Sequence, residues 1–139
     1  MINKGMMTSD SCEWETPQDL FDELNKEFNF ILDVCATAKN KKCSYWITKE
    51  TDSFKKDWKE IEGWNWMNPP YGREIGEWIK KASEQGETVA LLPARTDTKY
   101  FHDYIYNKKN VEIRFIKGRL KFSKSKNSAP FPSMIVIFY

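Results

Sequence analysis

Apolar residues along the chain recur in two rhythms. In WETPQDLFDELNKEF, Leu20, Phe21, Leu24 and Phe28 fall at helical spacing and predict one apolar helix face. Thr16 is placed to cap that helix, with Pro17 at its first position and Asp19 in its first turn. Ile75, Trp78, Ile79 and Ala82 repeat at i, i+3, i+4 and i+7, which predicts an amphipathic helix over Arg73 to Gln85 stopped by Gly86. Elsewhere the rhythm shortens to that of strands. FNFILDVCA, residues 28–36, reads as a mostly buried strand ending between Asp33 and Ala36, followed by the polar loop TAKNKK. Cys43 to Thr48 is a short strand, Thr51 to Trp58 a loop, Trp64 to Met67 a strand, and TVALLP a strand apolar enough to be covered on both faces. Thr96 or Asp97 can cap a further helix through Phe101, Tyr104 and Ile105; VEIRFI alternates, and SMIVIFY forms a last strand.

Strands alternating with helices predict a compact α/β domain with a mainly parallel sheet and helices on both faces. The expected organisation is a flexible tail over residues 1–12 and a single domain over 13–139. Trp66 and Trp78 read as core, and Trp14 as a cover for a ligand pocket. Ligands of such sheets bind beyond the carboxyl ends of the strands, where Asp33 and Asn68 both fall.

Composition narrows the class. With 40% hydrophobic and 30% charged residues, the chain has no apolar run near the roughly 20 residues of a membrane helix. MINKGMMTSD lacks a signal-peptide core, so the expected compartment is the cytoplasm. Cys12, Cys35 and Cys43 form no CxxC pair and His102 is the only histidine, so no metal site is expected and the thiols read as reduced and partly buried. His102 reads as a helix residue without catalytic duty. The net charge of +2 is unevenly spread: Glu13 to Asp33 carries seven acids and one lysine, whereas Lys108 to Lys126 carries eight basic residues and one acid, Glu112. The basic run is either a solvated face or the footprint of a polyanion.

Candidate chemistry concentrates in NWMNPPYG, residues 65–72. Two prolines exclude helix and cannot donate to a sheet ladder, so the strand must end in a stiff loop. Such a loop is either a structural turn, for which Asn-Pro pairs are common, or a grip for an amine. The Asn68 oxygen and the Pro69 carbonyl, held stiffly by Pro69 and Pro70, could both accept from one planar NH2 group. Tyr71 offers a flat face, and a ring stacked on a nucleobase is worth ~1–3 kcal/mol. An aryl amine or amide nitrogen is a poor nucleophile because its lone pair is delocalised. Two acceptors on its hydrogens strengthen as positive charge grows there, which is the differential binding that catalysis requires.

The NPPYG loop after an apolar strand resembles the amine-methylation motif of S-adenosylmethionine-dependent amino-methyltransferases. The series WETPQDLF, FILDVCATAKNKKC, WMNPPYG, LLPARTDTKYFHD, IKGRLKF and SAPFPSMIVIF is similar to the phage-type DNA N6-adenine methyltransferases (Dam-like methylases), from about Trp14 to Phe138. The resemblance implies a Rossmann-like methyltransferase fold, S-adenosylmethionine as methyl donor, adenine N6 in DNA as acceptor and, for a phage gene, the bacterial host's cytoplasm. By the same resemblance Asn68, Pro69, Pro70 and Tyr71 form the catalytic loop, and Thr16 and Pro17 lie beside the methionine end of the cofactor. Asp33 accepts from its ammonium or from an intervening water, and Asp52 lies near its adenosine part. Cys35 and Ala36 stand where general methyltransferases carry a glycine-rich turn; Dam-like sequences share this lack, and Ala36 is assigned to the cofactor with it. Of KGRLKFSKSK, Arg119 and Lys121 are the candidate DNA contacts, with Tyr71 on the target base. SAPFPS reads as structural stiffening before the last strand, Asp97 as a helix cap and Arg95 as a surface residue. RNA bases, protein glutamine amides and a catalytically inactive nucleic-acid-binding module remain as alternatives, and neither recognition sequence nor oligomeric state can be read.

Overall fold

The structure is a computed structural model that describes residues 14–37, 39–48 and 53–139. The expected tail, Cys12 and Asp52 therefore lie outside the described residues. Helix α1 (Gln18–Phe28) leads into strand β1 (Phe30–Asp33), the short strand β2 (Tyr45–Trp46), a 3-10 turn (Trp58–Glu60) and strand β3 (Trp64–Met67). Helix α2 (Ile75–Gln85), strand β4 (Thr88–Pro93), a π-helical turn (Phe101–Ile105) and strands β5 (Val111–Phe115) and β6 (Ser133–Phe138) complete the chain.

All strands join one sheet in the order β2-β1-β3-β4-β6-β5. β1 is parallel to β2 and β3, and β3 to β4, whereas β6 is antiparallel to both β4 and β5. The expectation of a mainly parallel sheet is thus corrected to a mixed one. The physical reason lies in the connection: a parallel return needs a crossover, usually a helix, and none forms between Phe115 and Ser133. The chain turns at the edge where β5 ends and re-enters between β4 and β5 in the opposite sense.

Strand alternation divides the core between the two faces. Trp66, Val89, Leu91, Ile135 and Ile137 pack with Phe21, Leu24 and Phe28 of α1. Met67, Ala90, Leu92, Met134 and Val136 pack with Trp78, Ile79 and Ala82 of α2 and with Phe101 and Ile105. β4 and β6 are buried at every position because both of their faces are covered.

Local chemistry sets the ends of the elements. α1 begins one residue later than the sequence suggests: Pro17 is extended at the cap position (φ −61°, ψ 132°) without a side-chain cap, and its carbonyl accepts the Phe21 N–H. Thr16, which precedes proline and is therefore biased toward extended backbone, does not cap the helix; its hydroxyl accepts from Asn68 Nδ2 instead. Asn29 closes α1 in the left-handed region (φ 57°), which asparagine tolerates better than most residues. Gly86 ends α2, donating its N–H to the Ala82 carbonyl. Arg114 of β5 makes a two-pronged ion pair with Glu27 of α1 (2.8 and 2.7 Å) and also bonds Glu112, so this member of the basic run is committed to joining helix and sheet.

Gly63 has φ +127°, and a Cβ there would lie 2.9 Å from Ile31 Cγ2; Gly118 also has positive φ (+78°), but nothing lies within 4 Å. Gly118→Ala should lose about 1 kcal/mol of unfolding free energy from backbone strain alone. Gly63→Ala should lose clearly more, because the clash adds to the strain; urea unfolding of the two variants provides the comparison.

Candidate active site

The carboxyl ends of β1 and β3 open on a cavity of about 610 Å³, within the roughly 300–1,000 Å³ usual for small-molecule sites. Because β1 and β3 are parallel with Asp33 beside Trp66, the residues that follow each strand emerge together. The Val34 N–H donates to the Trp66 carbonyl (3.1 Å), carrying the register past the end of β1. The cavity walls include Asp33 at the end of β1, Cys35, Ala36 and Thr37 after it, and Asn68, Pro69 and Pro70 after β3. Trp14, Glu15 and Thr16 come from the segment before α1, and Ser123, Lys124 and Ser125 from the loop between β5 and β6.

Asn68 is the most constrained of these side chains. Its Nδ2 donates to the Trp14 carbonyl (2.5 Å) and to Thr16 Oγ1 (2.9 Å). A backbone carbonyl can only accept, so the nitrogen must face Trp14 and the orientation of the carboxamide is settled. Its Oδ1 is buried and has no hydrogen-bond partner among the described residues. Leaving a buried acceptor unpaired costs ~1–3 kcal/mol, so it calls for a functional explanation. Asn68 thus lines the cavity, and its Oδ1, itself covered from solvent, is an acceptor without its donor.

Asp33 is 3% exposed. Its carboxylate accepts the backbone N–H groups of Cys35 (3.2 Å) and Lys42 (3.0 Å). Burial nonetheless pushes its pKa from 3.8 up to about 7, with the two N–H bonds pulling the other way. The loop that brings Lys42 back to Asp33 is closed by a reciprocal pair: Thr37 N–H donates to Asn40 Oδ1 (2.7 Å) and Asn40 N–H to Thr37 Oγ1 (3.3 Å). Burial, reinforced by the charge of Asp33, pushes the Cys43 thiol up to about 12, which makes it a poor nucleophile. Among the described residues no group of His, Cys, Asp and Glu is placed to hold a metal ion.

Tyr71 does not line this cavity. Its hydroxyl donates to the Leu91 carbonyl (2.9 Å), and its ring meets Phe122 and Phe131 edge-on at 6.2 and 5.7 Å. Burial raises its phenol well above the usual range, so it stays neutral. Pro17, Arg119 and Lys121 also lie outside the lining; Arg119 and Lys121 are exposed on the loop whose Ser123, Lys124 and Ser125 reach the cavity. Arg95 is exposed, with its guanidinium 5.9 Å from the Phe131 ring.

The structure therefore brings together Thr16, Asp33, Ala36, Asn68, Pro69 and Pro70 of the residues singled out from sequence, and Trp14 as the expected cover. It adds Glu15, Asn40, Lys42, Ser123, Lys124 and Ser125. Lys42 carried a weak signal, a lysine in the polar loop after an acid-ending strand. The pairing of Ser123 with Glu15 carried none, since the contact spans more than a hundred residues.

A sheet with a buried acid at the end of β1 and an amide-proline-proline turn after β3 defines a candidate enzyme site for an amine-bearing substrate. The chain belongs to the DNA N-6-adenine-methyltransferase (Dam) family, whose model matches residues 5–139. It is 30% identical to the DNA N-6-adenine-methyltransferase of Haemophilus phage HP1 (strain HP1c1) over 150 residues, covering 99% of this chain and 84% of that protein. To the DNA N-6-adenine-methyltransferase of Escherichia phage T1 it is 33% identical over 124 residues, covering 84% of this chain; the match spans 50% of the T1 protein. No solved structure matches the chain at a significant level.

The raised pKa of Asp33 has a definite sign. An acid that holds its proton more tightly when folded favours the folded state at low pH, so its contribution to stability falls as pH rises from about 4 to about 7. Asp33→Asn should remove this slope, so that the variant gains on the wild type between pH 5 and pH 8. Urea unfolding of both proteins across that range measures it.

Proposed function

We propose that this chain transfers a methyl group from S-adenosylmethionine to the N6 amine of adenine in DNA, with Asn68 and Pro69 as the groups that act on the amine. The observation that carries this reading is the unpaired, buried Asn68 Oδ1. The fold we assign to this activity is Rossmann-like, in one methyltransferase domain over residues 13–139. The parallel trio β1, β3 and β4, the helices on both faces and a cavity at the carboxyl edge support that assignment. No helix among the described residues is long and apolar enough to cross a membrane, in keeping with action in the cytoplasm of a bacterial host.

The residues present suit the cofactor. Asp33 is a buried carboxylate at the cavity wall, fit to accept from an ammonium, and Thr16, Ala36, Thr37 and Asn40 lie around the same space. When bound, S-adenosylmethionine supplies an electrophilic methyl group carried on sulfur. Pro17 adjoins Thr16 at the entrance to α1, and Asp52, in our reading, serves the adenosine part.

Asn68 Oδ1 and the Pro69 carbonyl accept from the two hydrogens of the adenine amine. Electron density rises on the nitrogen, and the two bonds tighten as it acquires positive charge, so they favour the transition state over the ground state. Pro70 stiffens the loop, and both prolines withhold N–H donors that would compete for the acceptors. The methylated nitrogen, once positively charged, is a strong acid and loses its surplus proton to water after the transfer, so no ionisable base is needed next to the amine.

Reaching N6 within a duplex requires extrusion of the nucleotide at a cost of a few kcal/mol. Tyr71 supplies a ring held in place by its bond to Leu91, against which the base can stack. Arg119 and Lys121, exposed on the loop beside the cavity, contact phosphates. Such contacts position the duplex without specifying its sequence.

Asn68→Ala should abolish turnover, by about a hundredfold or more, while leaving cofactor affinity nearly intact; a radiolabelled methyl-transfer assay alongside calorimetry with S-adenosylmethionine separates the two. Tyr71→Ala should weaken target engagement about tenfold or more, and wild-type kinetics in that variant would remove the stacking role. Methylation of unmethylated genomic DNA followed by modified-base mapping tests the whole reading, since absence of N6-methyladenine would refute it.

A further inference from the structure

We propose that Thr16, together with the Trp14 carbonyl, is a positioning residue that holds the Asn68 carboxamide with its oxygen toward the substrate, and that Ser123 of the basic loop holds Thr16. The inference rests on the role given to Asn68 above and adds the device that makes that role possible.

The terminal torsion of asparagine is broad, and its two ends are nearly the same size. A carboxamide free to turn would present NH2 as readily as oxygen. Presented to an amine, an NH2 group offers no acceptor and opposes the charge that develops on the nitrogen. The loop must therefore select one of two near-isosteric orientations, and Pro69 and Pro70 stiffen the backbone without fixing that torsion.

The selection comes from the segment before α1. The Trp14 carbonyl and Thr16 Oγ1 provide two acceptors for Nδ2, matching its two hydrogens. Thr16 is 3% exposed, so water is poorly placed to replace its hydroxyl. With both hydrogens engaged, Oδ1 is the end left unpaired.

The segment is itself secured by the loop between β5 and β6. Glu15 and Ser123 form an antiparallel bridge, in which the Ser123 N–H donates to the Glu15 carbonyl (3.0 Å). Ser123 Oγ donates to the Thr16 carbonyl (3.1 Å), and Lys124 lies 3.3 Å from the Glu15 carboxylate. Ser123 thus bonds the residue that orients Asn68. The run KFSKS, met in the sequence as a basic patch, carries a serine whose hydroxyl is part of the amide's support.

The test uses the full chain with Thr16→Val, which keeps the shape and removes the acceptor, Thr16→Ser, which restores it, and Ser123→Ala. At saturating S-adenosylmethionine and DNA, Thr16→Val should slow single-turnover methyl transfer about tenfold, equivalent to ~1.4 kcal/mol. Thr16→Ser should recover most of that rate and Ser123→Ala should fall between. Cofactor affinity is measured by calorimetry for each variant so that all rates are compared at saturation, where a change in affinity alone does not slow transfer. Independently of activity, the side-chain amide protons of Asn68, followed by NMR, should exchange with water faster in Thr16→Val than in the wild type or Thr16→Ser.

A Thr16→Val protein with wild-type amide exchange would overturn the proposal. So would one whose rate recovers fully when the cofactor concentration is raised, since Thr16 would then act on the cofactor alone. If the wild type transfers no methyl group, the functional reading fails while the exchange measurement still decides the positioning role. If Thr16→Val does not fold, exchange in Ser123→Ala decides it: unchanged Asn68 amide exchange there would overturn the proposal.

Discussion

The arrangement of the site depends on one constraint: a carboxamide at the end of a buried strand has both its hydrogens engaged by the chain and its oxygen unengaged. The donors are satisfied by a segment more than fifty residues earlier in sequence, from Trp14 to Thr16. That segment can reach Asn68 because α1 packs on the sheet through Phe21, Leu24 and Phe28 against Trp66 and its neighbours. The hydrophobic packing of α1 and the polar geometry of the loop are therefore linked through Thr16 and Pro17. Pro17 directs the chain out of the helix, and Thr16 ends the turn facing β3.

Asp33 and Asn68 illustrate two ways a buried polar group can persist. Asn68 has its donors paired and its acceptor unpaired, at a cost the fold tolerates. Asp33 has backbone donors for its carboxylate, yet loss of water outweighs them and favours its protonated form. Both lie at the carboxyl edge of parallel strands, the position at which a sheet covered on both faces still opens to ligand. A cationic ligand beside Asp33 would favour the ionised carboxylate and offset the penalty of burial.

Much of this was legible in the sequence, for reasons that can be named. The α2 stripe, the terminal strands and Trp64 to Met67 follow from periodicity because each element covers a continuous apolar surface, and the observed bounds agree closely. The stiff Asn-Pro-Pro turn was legible because proline chemistry is local. The strand direction of β6 was not, since alternation looks the same in parallel and antiparallel neighbours. The Thr16 cap was misread for a related reason: a hydroxyl before a helix has a local partner available, and only the tertiary fold reveals that a distant amide competes for it. Ser123 was hidden inside a run whose charge drew attention to Arg119 and Lys121.

The reversal of β6 has a consequence for the site as well as for the sheet. Pro93 pairs with Ser133, and Phe115 with Met134, so β4 and β5 end where β6 begins. The chain between Phe115 and Ser133 therefore stays at the carboxyl edge. Had β6 run parallel to its neighbours, that segment would have had to cross to the opposite edge before starting the strand. Keeping it at the near edge places Phe122 in the core beside Trp14 and Tyr71, and sets Ser123 against Glu15 and Thr16. Lys124 of the loop is held at the cavity wall by that same packing, with Arg119 and Lys121 exposed outside the lining. Arg114, whose charge is engaged by Glu27 and Glu112, lies in the sheet outside it. A strand inserted in the reverse sense is thus what allows one short loop both to support the amide and to carry positive charge beside the opening.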